Sequence, residues 1–371
     1  MLSKYNTIKK LTVVLLFWVL VAFILIVARD FLYPIFIAVL FAYLLYPIES
    51  RLERWGMPRI LANFITVILA MAFFIGLLVL LYDQLSVFIG DFPTLQENVL
   101  RNLDRLQRIV DEKIWGKSPR GDYWLRRQTV DALELSGGFL KELLSATTNT
   151  IVKFGLMPVY IFLALYYRNK IESFVFKLAP SASHFRLKHI IRDISDVTKH
   201  YMAGVVIVIL ILCVINSAGL LLIGVQYAIL LGILSAFMNF IPYFGTLIGG
   251  AIPVAYTFAV QGDINKTLAV MGFFILVQFT ENNILTPNIT GSKVNINPMF
   301  TILSIIVGGM VWGLPGMFVA VPYLGMFKVY CDHTPNLRPW AFMLGTEGTE
   351  EHALTLDKVW SALGLGRKRR K

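Results

Sequence analysis

One carboxylate lies where the surrounding sequence holds almost no other charge. Glu281 follows the apolar run Leu268 to Phe279 and precedes Ile284-Leu285, inside Gln278-Phe-Thr-Glu281-Asn282-Asn283. Between Tyr201 and Phe327 the other charged residues are Asp263, Lys266 and Lys293, all in short polar connections. An ionisable side chain at membrane depth faces a cavity, a partner or a transport path. On a helix Gln278, Glu281, Asn282 and Leu285 share a face. The expected site is therefore a carboxylate with the neutral amides of Gln278, Asn282 and Asn283 around it, lining a cavity for a proton, a cation or a small polar solute. A structural role stands beside that one: a neutral Glu281 bonded to a backbone carbonyl.

Two long elements must position this segment. Gln226 to Gln261 runs for 36 residues without a charge. As one straight helix it would measure about 54 Å, against a hydrocarbon core of about 30 Å. Its middle reads Asn239-Phe-Ile-Pro242-Tyr243-Phe-Gly245, followed by Gly249-Gly250 and Pro253. Pro298 to Phe327 is broken in the same way by Gly308-Gly309, Gly313, Pro315-Gly316 and Pro322. Paired interruptions on either side of one ordinary span are the pattern of a transporter binding site built from discontinuous helices. Backbone that is not helical at this depth is buried in protein or lines a cavity. Re-entrant hairpins are the favoured reading, and two single crossings the alternative. Asn239, Pro242, Tyr243 and Gly245 would form the first tip, where helix ends leave amides and carbonyls unpaired. Gly313, Pro315 and Gly316 would form the second, and Pro287, Gly291 and Pro298 punctuate the polar stretch between. A plain kink needed for packing is the alternative role for each tip.

Composition agrees with a membrane setting. The 371 residues are 57% hydrophobic and only 15% charged, well below the charge of a soluble domain. Several uncharged runs reach the length needed to cross a bilayer. The expected fold is an all-α membrane protein of about eight hydrophobic elements, two of them broken, with an extramembrane helical insertion. Residues 1–82 hold spans one to three, and 83–146 the extracytoplasmic insertion. Span four occupies 147–167, a cytoplasmic amphipathic helix 168–200, the transport core 201–332 and a basic cytoplasmic tail 333–371. Lys4, Lys9 and Lys10 precede span one, and Arg51, Arg54 and Arg59 follow span two. This clustering places both groups in the cytoplasm, and whether the two long elements turn back or each cross once, the C-terminus is expected there as well. In the insertion, Leu95, Val99, Leu103, Leu106 and Val110 mark a helix, with Thr94 as its expected cap and Glu97 as the capping-box partner. A second helix is expected over Tyr123 to Leu144, making a hairpin that serves as a lid or a contact between subunits. Pro158 is expected to kink span four.

Net charge is +11, with Arg367 to Lys371 all basic. Beside so many spans, anionic lipid is the expected partner rather than nucleic acid. Cys213 and Cys331 are isolated and make neither a disulfide framework nor a zinc pattern. There is no Gly-x-x-x-x-Gly-Lys-Ser/Thr loop, no His-Glu-x-x-His and no Gly-x-Ser-x-Gly elbow. No cofactor, metal or catalytic residue is therefore expected.

The segments just described resemble those of the bacterial AI-2E family of transporters. The matching residues are Asn239-Phe-Ile-Pro242-Tyr243-Phe-Gly245, Gln278-Phe-Thr-Glu281-Asn282-Asn283-Ile-Leu-Thr-Pro287-Asn-Ile-Thr-Gly291 and Asn297-Pro298, then Gly308-Gly309, Gly313, Gly316 and Ala320-Val321-Pro322. The order of spans and the insertion after span three fit as well, so the resemblance covers nearly the whole chain. It implies a multi-pass exporter or permease of the inner membrane that forms a homo-oligomer. Members are associated with release of autoinducer-2, others with sodium/proton exchange. Asn297 stands where members often carry His before Pro, which puts a proton relay through that position in doubt. The expected function is export of a small polar molecule by alternating access, with a proton or sodium as coupling ion. The alternatives are a monovalent cation/proton antiporter and a membrane scaffold that transports nothing.

Overall fold

A computed structural model describes residues 2–110, 127–131, 138, 155–180, 183–242, 244–289 and 296–348, and among these there is no β-strand. Among the described residues five helices are long and apolar enough to cross a membrane, and five further apolar stretches are shorter. Each broken element contributes two helices. Most of 111–146, with the second half of the expected external hairpin, lies outside the described residues, as do Tyr243, Gly291 and the Arg367–Lys371 tail.

Helix α1 (Leu2–Val27) turns tightly at Ala28 into α2 (Arg29–Arg54). Next come α3 (Arg59–Gly90), α4 (Phe92–Val110) and α5 (Met157–Tyr166). Ala38, Ala42 and Leu45 of α2 pack with Val67 of α3 and with Ile161 and Leu165 of α5. Pro158 does not kink a span. It lies in the first turn of α5, where the missing N–H has no helical partner to lose. Nor does Thr94 cap α4, which begins at Phe92. The backbone at Asp91 scarcely leaves helical geometry (φ −87°, ψ −3°), and its carbonyl already accepts from Leu95 N at 3.0 Å.

A polar knot closes one end of this bundle. Helix α6 (Arg168–Leu178) opens on Arg168, whose Nη1 donates to Glu49 Oε1 at 2.5 Å and Nη2 to Glu53 Oε2 at 2.6 Å. Arg59 Nε holds the other Glu53 oxygen at 3.0 Å. Glu49 is fully buried. With the Asn63 amide oriented to donate, its nitrogen lies 2.9 Å from Glu49 Oε1. The Arg168 guanidinium also sits 4.9 Å from the Tyr46 ring centre, and Lys199 Nζ 4.5 Å from it. Burial alone would lower the Arg168 pKa, but its hydrogen bonds to Glu49 and Glu53 outweigh that and hold it above the usual value.

Helix α7 (His184–Ile223) has 40 residues and so is about 60 Å long. It runs straight through the expected boundary at His200–Tyr201, because nothing between Pro180 and Gly224 breaks a helix. One rod therefore carries both the amphipathic segment and an apolar stretch long enough to span a bilayer.

The two broken elements each fold back on themselves. In the first, α8 (Ala228–Met238) and α9 (Phe244–Tyr256) lie antiparallel, and α9 widens into a π-turn, Thr257–Gln261. Ser235 Oγ donates to Gly249 O at 2.6 Å across the pair. A Cβ on Gly245 would overlap the Met238 carbonyl, so only glycine allows this approach. Helix α8 spans about 17 Å and is too short to cross. Helix α10 (Ile264–Thr280) follows, then a second π-turn, Glu281–Leu285, and α11 (Thr286–Ile289). The second hairpin is α12 (Pro298–Trp312) and α13 (Leu314–His333), and α14 (Arg338–Leu344) ends the described chain. Its turn is Gly313 at φ +65°, and Gly308 and Gly316 bring its arms into backbone contact. Unlike the first hairpin, it has an arm (α13) long enough to cross. Trp312 Nε1 donates to Leu25 O at 2.8 Å and Tyr323 OH to Phe36 O at 3.0 Å, which pins the hairpin to α1 and α2. Pro253 and Pro322 lie inside helices rather than at the breaks. The Gly249-Gly250 and Gly308-Gly309 pairs likewise serve close helix packing and not interruption.

Candidate functional site

Three helices bring Glu281 to the tip of the first hairpin. Val277 of α10 packs with Val208, Ile209 and Leu212 of α7 and with Ala236 of α8, and Leu285 and Ile289 lie against the same cluster. Val277, Glu281, Leu285 and Ile289 recur every four residues. Glu281 therefore sits on the face that α7 and α8 cover, and it is 7% exposed. Along the helix axis it is about 27 Å from the cap residue Asp263, nearly the thickness of a hydrocarbon core, so its burial comes from α7 and α8 around it.

Asn239 meets it there. It ends α8 at φ −66°, ψ −4°, and its Nδ2 is 3.4 Å from Glu281 Oε2. That is a long bond. The Asn239 side-chain oxygen Oδ1 is buried with no donor among the described residues. Among the described residues no basic side chain forms an ion pair with Glu281. The next residue of the tip, Phe240, lies edge-on to Phe318 of α13 with ring centres 5.2 Å apart. The tip thus stands between the carboxylate and the second hairpin.

The other expected residues divide. Gln278 and Asn282 pair with each other at 3.1 Å on a more exposed rim. The buried face is centred on Val277, Glu281 and Leu285, which leaves Asn282 on the exposed side, and a π-turn begins at Glu281. Such single-turn π segments recur at functional sites. Asn283 Nδ2 bonds the Phe279 carbonyl of its own helix at 2.8 Å, and Asn283 is exposed. Pro242 lies in the tip turn and Gly245 is buried just beyond it, whereas Pro287 is exposed on α11. Pro298 opens α12 behind Asn297, whose side chain caps Met299 N at 3.0 Å and whose N–H donates to Leu344 O at 2.7 Å. Gly313, Pro315 and Gly316 form the second tip, beside α1 rather than beside Glu281.

Two anchors at the far end of the first hairpin were not foreseen from sequence. Tyr227, just before α8, holds the left-handed conformation (φ 55°, ψ 31°), and its hydroxyl donates to Asp91 between α3 and α4. Burial first, and then the Asp91 carboxylate, push the Tyr227 pKa up to about 12. Asn102 of α4 donates to the Ala259 and Val260 carbonyls at 3.0 Å each. The polar Asn102 interrupts an otherwise amphipathic helix and was the available signal.

Among the described residues, helices long and apolar enough to span a bilayer, with two broken hairpins among them, make this a multi-pass membrane protein. Residues 15–336 match the profile of the AI-2E family transporters, and the chain belongs to that family. It is 29% identical to YrrI of Bacillus subtilis over 322 residues, covering 84% of this chain and 89% of YrrI. YhhT of Escherichia coli is 25% identical over 318 residues, covering 86% and 89%. The AI-2 transport protein TqsA of Escherichia coli is 23% identical over 326 residues, covering 85% and 90%.

Proposed function

We propose that the chain moves a small polar molecule such as autoinducer-2 out of the cell, with Glu281 and Asn239 at the centre of its path. The observation that carries this is the buried carboxylate facing a helix-end amide, with no basic partner among the described residues. Such a group is stable when a proton, a cation or a polar solute shares the site. The first hairpin and α10 rock against α1, α2 and the hairpin pinned to them, and this exposes the site to each side in turn. Phe240 on Phe318 is the contact that slides. A monovalent cation/proton antiporter using the same carboxylate is the second reading, favoured by the missing countercharge. The working form is a homo-oligomer in a bacterial inner membrane with both termini cytoplasmic.

Flux in proteoliposomes tests this. Wild type and Glu281→Gln are compared for autoinducer-2 efflux and for cation movement under imposed proton or sodium gradients. Gradient-driven solute efflux lost in the variant supports the coupled exporter, and cation exchange alone supports the antiporter. Efflux that ignores both the gradient and the substitution refutes a coupling role for Glu281. No flux of any kind leaves a scaffold organised by α4.

A further inference from the structure

Between α4 and the open end of the first hairpin lies a polar cleft of about 630 Å³, a size usual for small-ligand sites. Arg101, Arg105 and Arg108 recur on one face of α4 and line one wall, and Lys266 of α10 and Gln261 line the other. Leu95, buried in the core with Leu220, Val225 and Tyr256, fixes α4 in this orientation.

The cations are poorly matched by acids. Arg101 reaches Asn98 Oδ1 at 3.0 Å and Glu97 only at 3.7 Å, where both side chains are exposed. Arg108 Nε rests on the Asp104 carbonyl of its own helix at 3.3 Å, and Lys266 Nζ on the Gly224 carbonyl at 3.1 Å. Arg105 has no partner among the described residues. Asp104 and Asp263 also line the cleft, but Asp263 is committed to capping α10 through Asn265 N and Lys266 N. The cleft thus offers guanidinium donors on one wall and an ammonium on the other.

That pattern complements a phosphate group, whose anionic oxygens bond arginine in the planar geometry guanidinium favours and meet the Lys266 ammonium as a point charge. We propose that this cleft binds a phosphate-bearing anion that fastens α4 to the first hairpin. The two walls belong to different elements and are already joined by Asn102 and Tyr227, so the ligand adds a third bridge at the hairpin's root. The proposal is independent of Glu281 and of the transported solute. The phosphate comes from solution or from an anionic lipid headgroup.

Equilibrium binding of inorganic phosphate to wild type in phosphatidylcholine nanodiscs tests the first source. Retention of phosphatidylglycerol through purification, read by native mass spectrometry, tests the second. Hydrogen exchange over 98–108 and 257–266 is followed in both. Arg101→Gln/Arg105→Gln on one wall and Lys266→Gln on the other are the variants, and the exposure of both arginines keeps the fold intact. Loss of one charged contact weakens binding about tenfold, and the effect shrinks as salt rises. Phosphate binding that the variants weaken tenfold or more, with ligand-dependent protection of both segments in wild type, assigns a solution anion. No phosphate binding, but phosphatidylglycerol kept by wild type and lost by both variants, assigns a headgroup. If wild type holds neither, or the variants hold either one as well as wild type does, the proposal is overturned.

Discussion

Replacing Arg168 with Met removes the cation that ties α6 to α2 and leaves Glu49 buried with an amide as its remaining partner. Removing one member of a buried ion pair costs about 3–5 kcal/mol. The Arg168 side chain is 21% exposed and that of Glu53 24%, whereas Glu49 is at 0%. Solvent therefore relieves Glu53 but not Glu49, and the Asn63 contact persists. A loss near the lower end, about 3 kcal/mol, is expected. The assay is unfolding in mixed micelles by titrated denaturing detergent, followed by tryptophan fluorescence. The double variant Glu49→Gln/Arg168→Met removes the stranded charge and recovers at least half the loss. A single variant within about 0.5 kcal/mol of wild type, or a double variant no better than the single, refutes the argument that the buried charge dominates.

Gly245→Val destabilises the first hairpin by roughly 1–3 kcal/mol, since the new side chain meets the Met238 carbonyl. Faster proteolysis within 239–250 reports it, and unchanged cleavage would show that the tip adapts. Tyr227→Phe loosens the hairpin root in a pH-dependent way. The folded-state pKa of Tyr227 is about 12, above the unfolded value of about 10. Its bond to Asp91 therefore stabilises fully below pH ~10 and fades as pH rises through about 12. The stability gap between wild type and variant should close over that window, and a gap of constant size from pH 8 to 12 would contradict the assignment.

The sequence showed the breaks and the carboxylate because both are local signals. Glu281 is conspicuous as a charge inside an apolar run, and the hairpins follow from a length no bilayer accommodates. Which residues of 278–285 face inward was not legible, because Gln278, Glu281, Asn282 and Leu285 share one broad face and the packing of α7 and α8 on Val277 and Leu285 decides which part of it is buried. The Glu49–Arg168 pair joins positions 119 residues apart, and neither looks unusual among its neighbours. Thr94 followed the capping pattern, but the continuity of α3 and α4 through Asp91 left no free helix end to cap. The clamp from Asp91 and Asn102 onto the first hairpin depends on tertiary docking alone.

The shortness of α8 bears on how the chain is made. A segment of 11 residues does not halt in a translocon as a span does, and its partner α9 emerges with no charge to hold it at either surface. During synthesis the pair has nothing to stop it sliding until α10 follows and Asp263 and Lys266 arrive at its root. The hairpin then takes its depth from α7 and α10, its protein neighbours, rather than from the lipid. A nascent chain halted before Glu281 would therefore carry its hairpin unseated, open to quality-control proteases, while α1 to α3 are already inserted.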